Sequence, residues 1–459
     1  MPPDDDQRNP GVVPGDSNGT AAPSQGEPPE EPTDVEPSEP DVRHADEYGS
    51  VIDAESVGAD PTGKRPVNDV IEMYAQPDTL LSFPAGTYRL DPLKLEDVSD
   101  FAIASASSER ATFVAPAGVC TDRPYLWFQD VSGVLFDGID VDFTADGAGG
   151  EVRFIADGDV TVQNARFSGS CDGQIAIFRL DVVNPDASAL VKNIAASHDD
   201  DRQLTGIYVG HEHAGEVTFE NCDISEFTDN GLYASTPGLD NNGNGPVHVV
   251  GGSYTNNNIS NVRLGTTGST ARDVHVTIES IPDGYQPNAR GIRLRDRRGQ
   301  LVEDCSVTMG AGVSESFGAI VSHGAHEGGV VRNTAVHVDT RKVPAIHAFR
   351  PDADDYDPLE FENVTVTGDA SGSYAATLFG RDGTVFRNCA FQQRGDTRGG
   401  IYFADAEGCR IVDSYIETDR NPIVAVRSDV LVQNTTIVTP RGSWHIDNAV
   451  LQDGTFNPA

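Results

Sequence analysis

Arg290, Arg293, Arg295, Arg297 and Arg298 crowd into one short stretch of a chain with 72 acidic and 32 basic residues, a formal net charge of −40. A guanidinium is a planar fork that stays charged and can grip a carboxylate or sulfate through two parallel hydrogen bonds. A positive patch in so acidic a chain therefore points to an anion-binding surface. The competing expectation is that these arginines pair with neighbouring aspartates and glutamates; a subunit interface is the third. Tyr208 and Tyr233 add flat aromatic faces on which sugar rings can lie, although exposed aromatics are also ordinary on β surfaces. His211, His323, His347, Arg263, Asp296 and Arg350 complete the set of polar groups whose spacing follows the same repeat.

That repeat must bring them together. One strand type recurs as Val217–Ile224, Leu359–Val366 and Thr384–Phe391, and a second precedes it as Gly206–Val209, Gly231–Ala234, Asn261–Leu264, Gly291–Leu294, Gly318–Val321 and Gly400–Phe403. The spacing is roughly 23–31 residues, one coil of a β-solenoid, giving about twelve coils. Apolar residues alternate within the strands, so each coil turns one side inward and one outward. Aligning the second strand type predicts an outward column of Tyr208, Tyr233, Arg263, Arg293, Ile320, His347, Leu378 and Tyr402. The loop edge beside it carries His211, Thr236, Thr266, Asp296, His323, Arg350, Arg381 and Asp405. Asn164, Asn193, Asn221, Asn333, Asn363, Asn388 and Asn434, with Asp304 and Asp413 standing in, occupy one bend position, where each amide can bond the coil above and below.

The charge balance argues against nucleic acid and anionic membranes as partners. With only four lysines, Lys64, Lys94, Lys192 and Lys342, it fits adaptation to molar salt, as in haloarchaea. No stretch approaches the ~20 apolar residues of a membrane span, so direct membrane insertion is not expected. Residues 1–47 hold 10 of the 28 prolines and 13 acidic residues. They are expected to form a disordered, self-repelling tether, because they cannot bury enough surface to offset ordering. Met1 runs into Pro2, Pro3 and three aspartates, with no signal-peptide pattern. That fits a mature sequence with an added Met, a misplaced start, or release without a signal.

Gly58–Gly63 is turn chemistry, Pro66–Ala75 places Val67, Val70, Ile71 and Tyr74 at helical spacing, and Phe83–Leu90 reads FPAGTYRL. These segments resemble the N-terminal cap of pectate-lyase-superfamily β-helix proteins, a group that includes many phage tailspikes. The resemblance covers about forty residues. It implies an all-β, single-stranded right-handed parallel β-helix over 48–459, with a helical cap over 51–95 and coils from about 96 onward. It also implies an extracellular, cell-surface or particle-attached protein that binds an anionic polysaccharide or cell-surface glycan, with or without cleaving it.

Two reactions belong to that superfamily. β-Elimination needs cations to neutralise a uronate carboxylate and a base at its C5 proton. Arg293 and Arg295 are the candidates to neutralise and His323, one coil on, the candidate base; Tyr208, His211, Tyr233, Arg263, Asp296, His347 and Arg350 are the candidate binding residues. Hydrolysis needs paired carboxylates. His198–Asp201 followed by Gly210–His213 and Arg293–Arg295 faintly resembles the order of polygalacturonase motifs, but the first spacing is too short and no Asn-Thr-Asp motif precedes them. Elimination is therefore expected over hydrolysis. The competing class is a non-catalytic adhesin or viral spike; trimers are usual among tailspike relatives, so a homo-oligomer is compatible with the resemblance.

No cofactor is expected. The run Asp352–Asp357 could take calcium but lacks the glycine and terminal glutamate of a dedicated loop. Asn18 and Asn258 are the sequons not claimed by the ladder. Among six cysteines, Cys222 and Cys305 lie about three coils apart, roughly 14 Å at ~4.8 Å per strand, beyond the ~7 Å a disulfide allows. Cys389 and Cys409 sit off register with each other. These four read as buried thiols, and Cys120 and Cys171 are left open.

Overall fold

The computed structural model describes residues 42–459 apart from 172, 199, 236–242, 284–286, 440–448, 453–454 and 459. Most of the expected tail (1–41), Asn18, Asp199 and Thr236 lie outside the described residues. The described residues form an all-β right-handed parallel β-helix of about thirteen turns. Its strands form a 28-stranded and a 16-stranded sheet among the described residues. The larger is two faces of the solenoid joined through Leu126–Asp137. The first part of that strand pairs with Val152–Ala156 and the last part with Val160–Gln163.

Each face forms because alternate residues of its strands are apolar and find the same column occupied one coil away. Phe128 stacks on Phe154 with centroids 4.3 Å apart, and Phe361 on Phe386 at 4.7 Å. Burying such a ring is worth roughly 1.5–3 kcal/mol, and repetition along the axis gives a long, thin core. The expected helical segment contains the helix Asn68–Tyr74, with Ile71 fully buried. Parallel stacking is already present around it, since Ser50–Asp53 pairs with Thr79–Phe83 and that strand with Ser99–Ser105.

The bend column adopts the left-handed conformation that asparagine tolerates: φ is 53° at Asn164, 52° at Asn193, 54° at Asn363 and 52° at Asn388. Each amide then reaches one coil back. Asn193 donates to Asn164 Oδ1 at 2.9 Å, Asn363 to Asn333 Oδ1 at 2.9 Å and Asn388 to Asn363 Oδ1 at 2.6 Å. Asp137 and Asp413 accept from Asn164 and Asn434.

Cys222, Cys305, Cys389 and Cys409 are buried free thiols, and burial pushes them up to about 12, 11, 11 and 12 respectively. Cys120 and Cys171 form a disulfide with Cα atoms 5.8 Å apart. Neither lies in a paired strand of the sheets, so the strand-to-strand spacing that separates the other four does not govern them.

The outward column needs two corrections. The register pairs Arg293 with Val321 and His347 with Thr377, while Ile320 and Leu378 point into the core at 2% and 0% exposure. The strand Gly318–Ser322 is buried throughout, and Ala319-Ile320-Val321 is a continuous apolar run, so alternation could not set its phase. Arg381 is a third correction: it is wholly buried, and its guanidinium donates to the carbonyls of Phe349, His326 and His323 at 2.8, 2.7 and 2.6 Å. It ties successive loops together from beneath.

Candidate functional site

Parallel register places Tyr208, Tyr233, Arg263 and Arg293 on four successive rungs of one face. The column also runs the other way, through Arg179 and Arg153 to Trp127 and Lys94. The aromatic faces within it are largely taken. Tyr208 stacks on Tyr233 at 4.8 Å, Arg179 lies 5.3 Å over Tyr208, and Arg263 lies 3.8 Å over Tyr233. These tyrosines hold arginines in place more than they offer bare rings.

The arginine run divides in two. Arg297 and Arg298 turn to Glu327, and Arg298 also to Asp355 and Asp357, as the ion-pair expectation had it. Arg263, Arg290 and Arg293 instead fold against the sheet, at 4%, 6% and 8% exposure. Asp296 serves both Arg263, at 3.2 Å, and Arg295, at 3.1 Å. Arg290 donates to the Ile259 carbonyl at 2.9 Å and stands 4.8 Å over the ring of Phe317. The Arg293 side chain has no hydrogen bond or ion pair among the described residues, and its buried Nε has no partner. Burial pushes Arg293 down to about 9, with Arg290, Arg263 and Arg295 adding to the effect and Asp296 opposing it; burial and then Arg295 push Arg290 to about 10. Among the described residues, Asp296 is the carboxylate that pairs within this group, and it does so with Arg263 and Arg295.

His323 stands at the strand end beside them. Its Nδ1 accepts the Ala325 N–H at 3.1 Å, which puts the proton of the neutral ring on Nε2 and makes the free edge a donor. Burial first, then Arg295 and Arg293, push it down to about 4. His347 contacts Thr377 Oγ1 through Nδ1 at 2.7 Å, and its buried Nε2 has no partner. Burial and then Arg290 bring it to about 4 as well. Tyr233, Arg263, Arg293, Arg295, Asp296 and His323 thus form one neighbourhood, with His347 joined to it through Arg290. Arg350 turns outward to Asp405, which also binds Arg427. His211 is exposed and makes none of these contacts among the described residues.

A cavity of about 300 Å³ lies alongside, lined by Asp296, Arg297, His326, Glu327, Asp352 and Tyr356. Two carboxylates of the acidic loop face Arg298, and no group of three or more side chains suited to a metal ion occurs among the described residues. Phe317 also stands beside this cluster, under Arg290, at a position the repeat does not mark. At 42% exposure it is the one aromatic ring among the exposed large hydrophobics of the described residues. It lies in the turn before a strand, outside any repeat column; its only signal is an aromatic residue directly preceding the strand's first glycine.

No family description and no curated protein matches the sequence. Solved structures match over most of the chain. The surface adhesin PfbA of Streptococcus pneumoniae has 12% identity and a TM-score of 0.46, covering 85% of this chain and 91% of that one. The catalytic unit of a GH87 α-1,3-glucanase from Streptomyces thermodiastaticus has 14% identity and a TM-score of 0.42, covering 89% and 69%. Tailspike protein 3 of bacteriophage CBA120 has 11% identity and a TM-score of 0.40, covering 90% and 62%. Each is a similarity of fold.

Proposed function

We propose that this β-helix is an extracellular or particle-attached protein that binds an anionic polysaccharide on the face built by Arg263, Arg290, Arg293 and Arg295. One observation carries the reading: Arg293 is buried beside three other guanidinia, and among the described residues its side chain has no ion pair of its own. An uncompensated buried cation is costly, and a carboxylate or sulfate laid against it removes that cost. The acidic composition supports a high-salt habitat, where the Debye length is about 3 Å at 1 M and exposed charges are screened. Buried pairs are screened far less, so desolvated arginines are the kind that could hold an anion there.

Elimination is the second reading, favoured by a neutral His323 beside two arginines. In that step the base takes the C5 proton, the C4–O bond breaks, a C4–C5 double bond forms, and the leaving sugar oxygen takes up a proton. Arg293 and Arg295 would neutralise the carboxylate. His323 could accept the C5 proton only in its other tautomer, with the Ala325 N–H released. That requirement supports binding without cleavage as the first reading, an adhesin or spike rather than a lyase.

The test uses the full chain in molar KCl with a panel of uronate-containing and sulfated glycans. It follows binding, ultraviolet absorbance of unsaturated uronate ends, and new reducing ends. Binding without either product supports the first reading, and unsaturated ends that vanish with His323→Ala support elimination. No binding to any glycan would remove both.

A further inference from the structure

We propose that Phe317, Arg341 and Lys342 form a second subsite for the same anionic polysaccharide, in which Phe317 carries the face of a sugar ring and the two cations hold its acidic substituent. This rests on reading the arginine cluster as an anion site. It adds residues outside the outward column, since Phe317 precedes the strand Gly318–Ser322 that His323 follows.

Phe317 is held out by its own turn. Ser316 Oγ accepts the Gly318 N–H at 2.9 Å, and Gly318 has φ of 152°, where a side chain is disfavoured. A Cβ there would also lie 3.1 Å from the Pro344 carbonyl and 3.3 Å from His347 Cβ. The ring packs edge-on against Phe349 at 5.1 Å and meets His347 at 6.1 Å, yet 42% of the residue stays exposed. Arg290 already lies over the ring at 4.8 Å, and the part left exposed is flat apolar surface of the kind that suits the face of a sugar.

The ring opens onto a depression of about 530 Å³ lined by Phe317, Asn288, Ser314, Glu315, Arg341 and Lys342. Arg341 and Lys342 sit at the tip of the next coil's turn, both exposed and without an ion pair among the described residues. Lys342 has φ of 64°, and its N–H donates to the Ser371 carbonyl at 2.8 Å, which fixes the tip. Among the described residues that line it, Glu315 is the one acid beside Arg341 and Lys342, so this lining carries net positive charge in a chain of −40. Arg290 joins the two regions, lying over Phe317 while its charge acts on Arg293. A polymer that reached from Arg293 to Phe317 would therefore meet cation, ring and cation in turn.

The experiment is calorimetric titration of the full-length chain in molar KCl with size-fractionated oligogalacturonate and dextran sulfate. Phe317→Ala and the double change Arg341→Gln with Lys342→Gln are each expected to weaken long oligomers by about tenfold, with the deficit disappearing for oligomers too short to reach the ring. Phe317→Trp is expected to restore the loss, which a purely structural role for the phenyl ring would not predict. If Arg293→Gln removes binding while Phe317→Ala matches the parent at every length, the subsite is wrong and the arginine reading stands. If Arg293→Gln binds like the parent, the arginine reading itself falls.

Discussion

Burying a guanidinium without its own acidic partner costs roughly several kcal/mol, and Arg293 is in that position. Replacing it with glutamine should weaken anionic-glycan binding by at least about tenfold. The same change should leave the fold intact, because it removes an uncompensated charge instead of creating one; thermal unfolding and titration read the two effects separately. The histidines give a second residue-scale expectation. His213, His323, His326 and His347 lie at about 4, 4, 3 and 4, in each case with burial the largest cause, against an ordinary value of 6.5. The unfolded chain therefore binds more protons than the folded one between those values. Stability from these groups is present above pH ~6.5 and is lost as pH falls towards 4. His44, held by Asp137 at 2.7 Å and Glu47 at 2.8 Å, is shifted upward despite its burial and acts in the opposite sense at higher pH. Unfolding followed from pH 7 to 4 should show a falling midpoint, and a flat or rising profile would contradict these assignments.

At the scale of elements, the Asn ladder was legible because one residue type recurred at one bend. Both of its causes, the left-handed backbone and the amide bond to the next coil, follow from asparagine chemistry. The ladder also separates those causes. Asn363→Gly keeps a residue that accepts φ of 54° and loses only the hydrogen bonds, whereas Asn363→Ala loses both. Alanine should therefore be the less stable by about 1 kcal/mol in chemical denaturation. Other features were hidden for physical reasons. Ile320 and Leu378 read as outward from the sequence because their strands are buried on both sides, which erases the alternation that sets phase. Arg381 looked like a loop-edge cation, since nothing in a sequence marks an arginine satisfied by three carbonyls. The Cys120–Cys171 bond lies outside the strands whose spacing could be counted. Thiol labelling of the unfolded chain without reductant should find four reactive cysteines, rising to six after reduction.

For the whole molecule, the solenoid explains how a chain of charge −40 can hold a positive site. Column stacking sets Arg263 against Arg293 on adjacent coils, and Arg290 and Arg295 flank Arg293 along its own coil. The overall architecture could be read from the repeat. The division of the arginine run could not, because it depends on which guanidinia find Glu327 and the acidic loop and which are folded under. That division supplies the most direct test. The full chain is titrated with a sulfated and a uronate polymer in molar KCl, comparing Arg293→Gln with Arg297→Gln, which remove the same charge from opposite sides of the divide. Binding is expected to collapse with the first change and to stay near the parent with the second. Equal losses would mean that net charge alone governs binding, and no loss with Arg293→Gln would contradict the site.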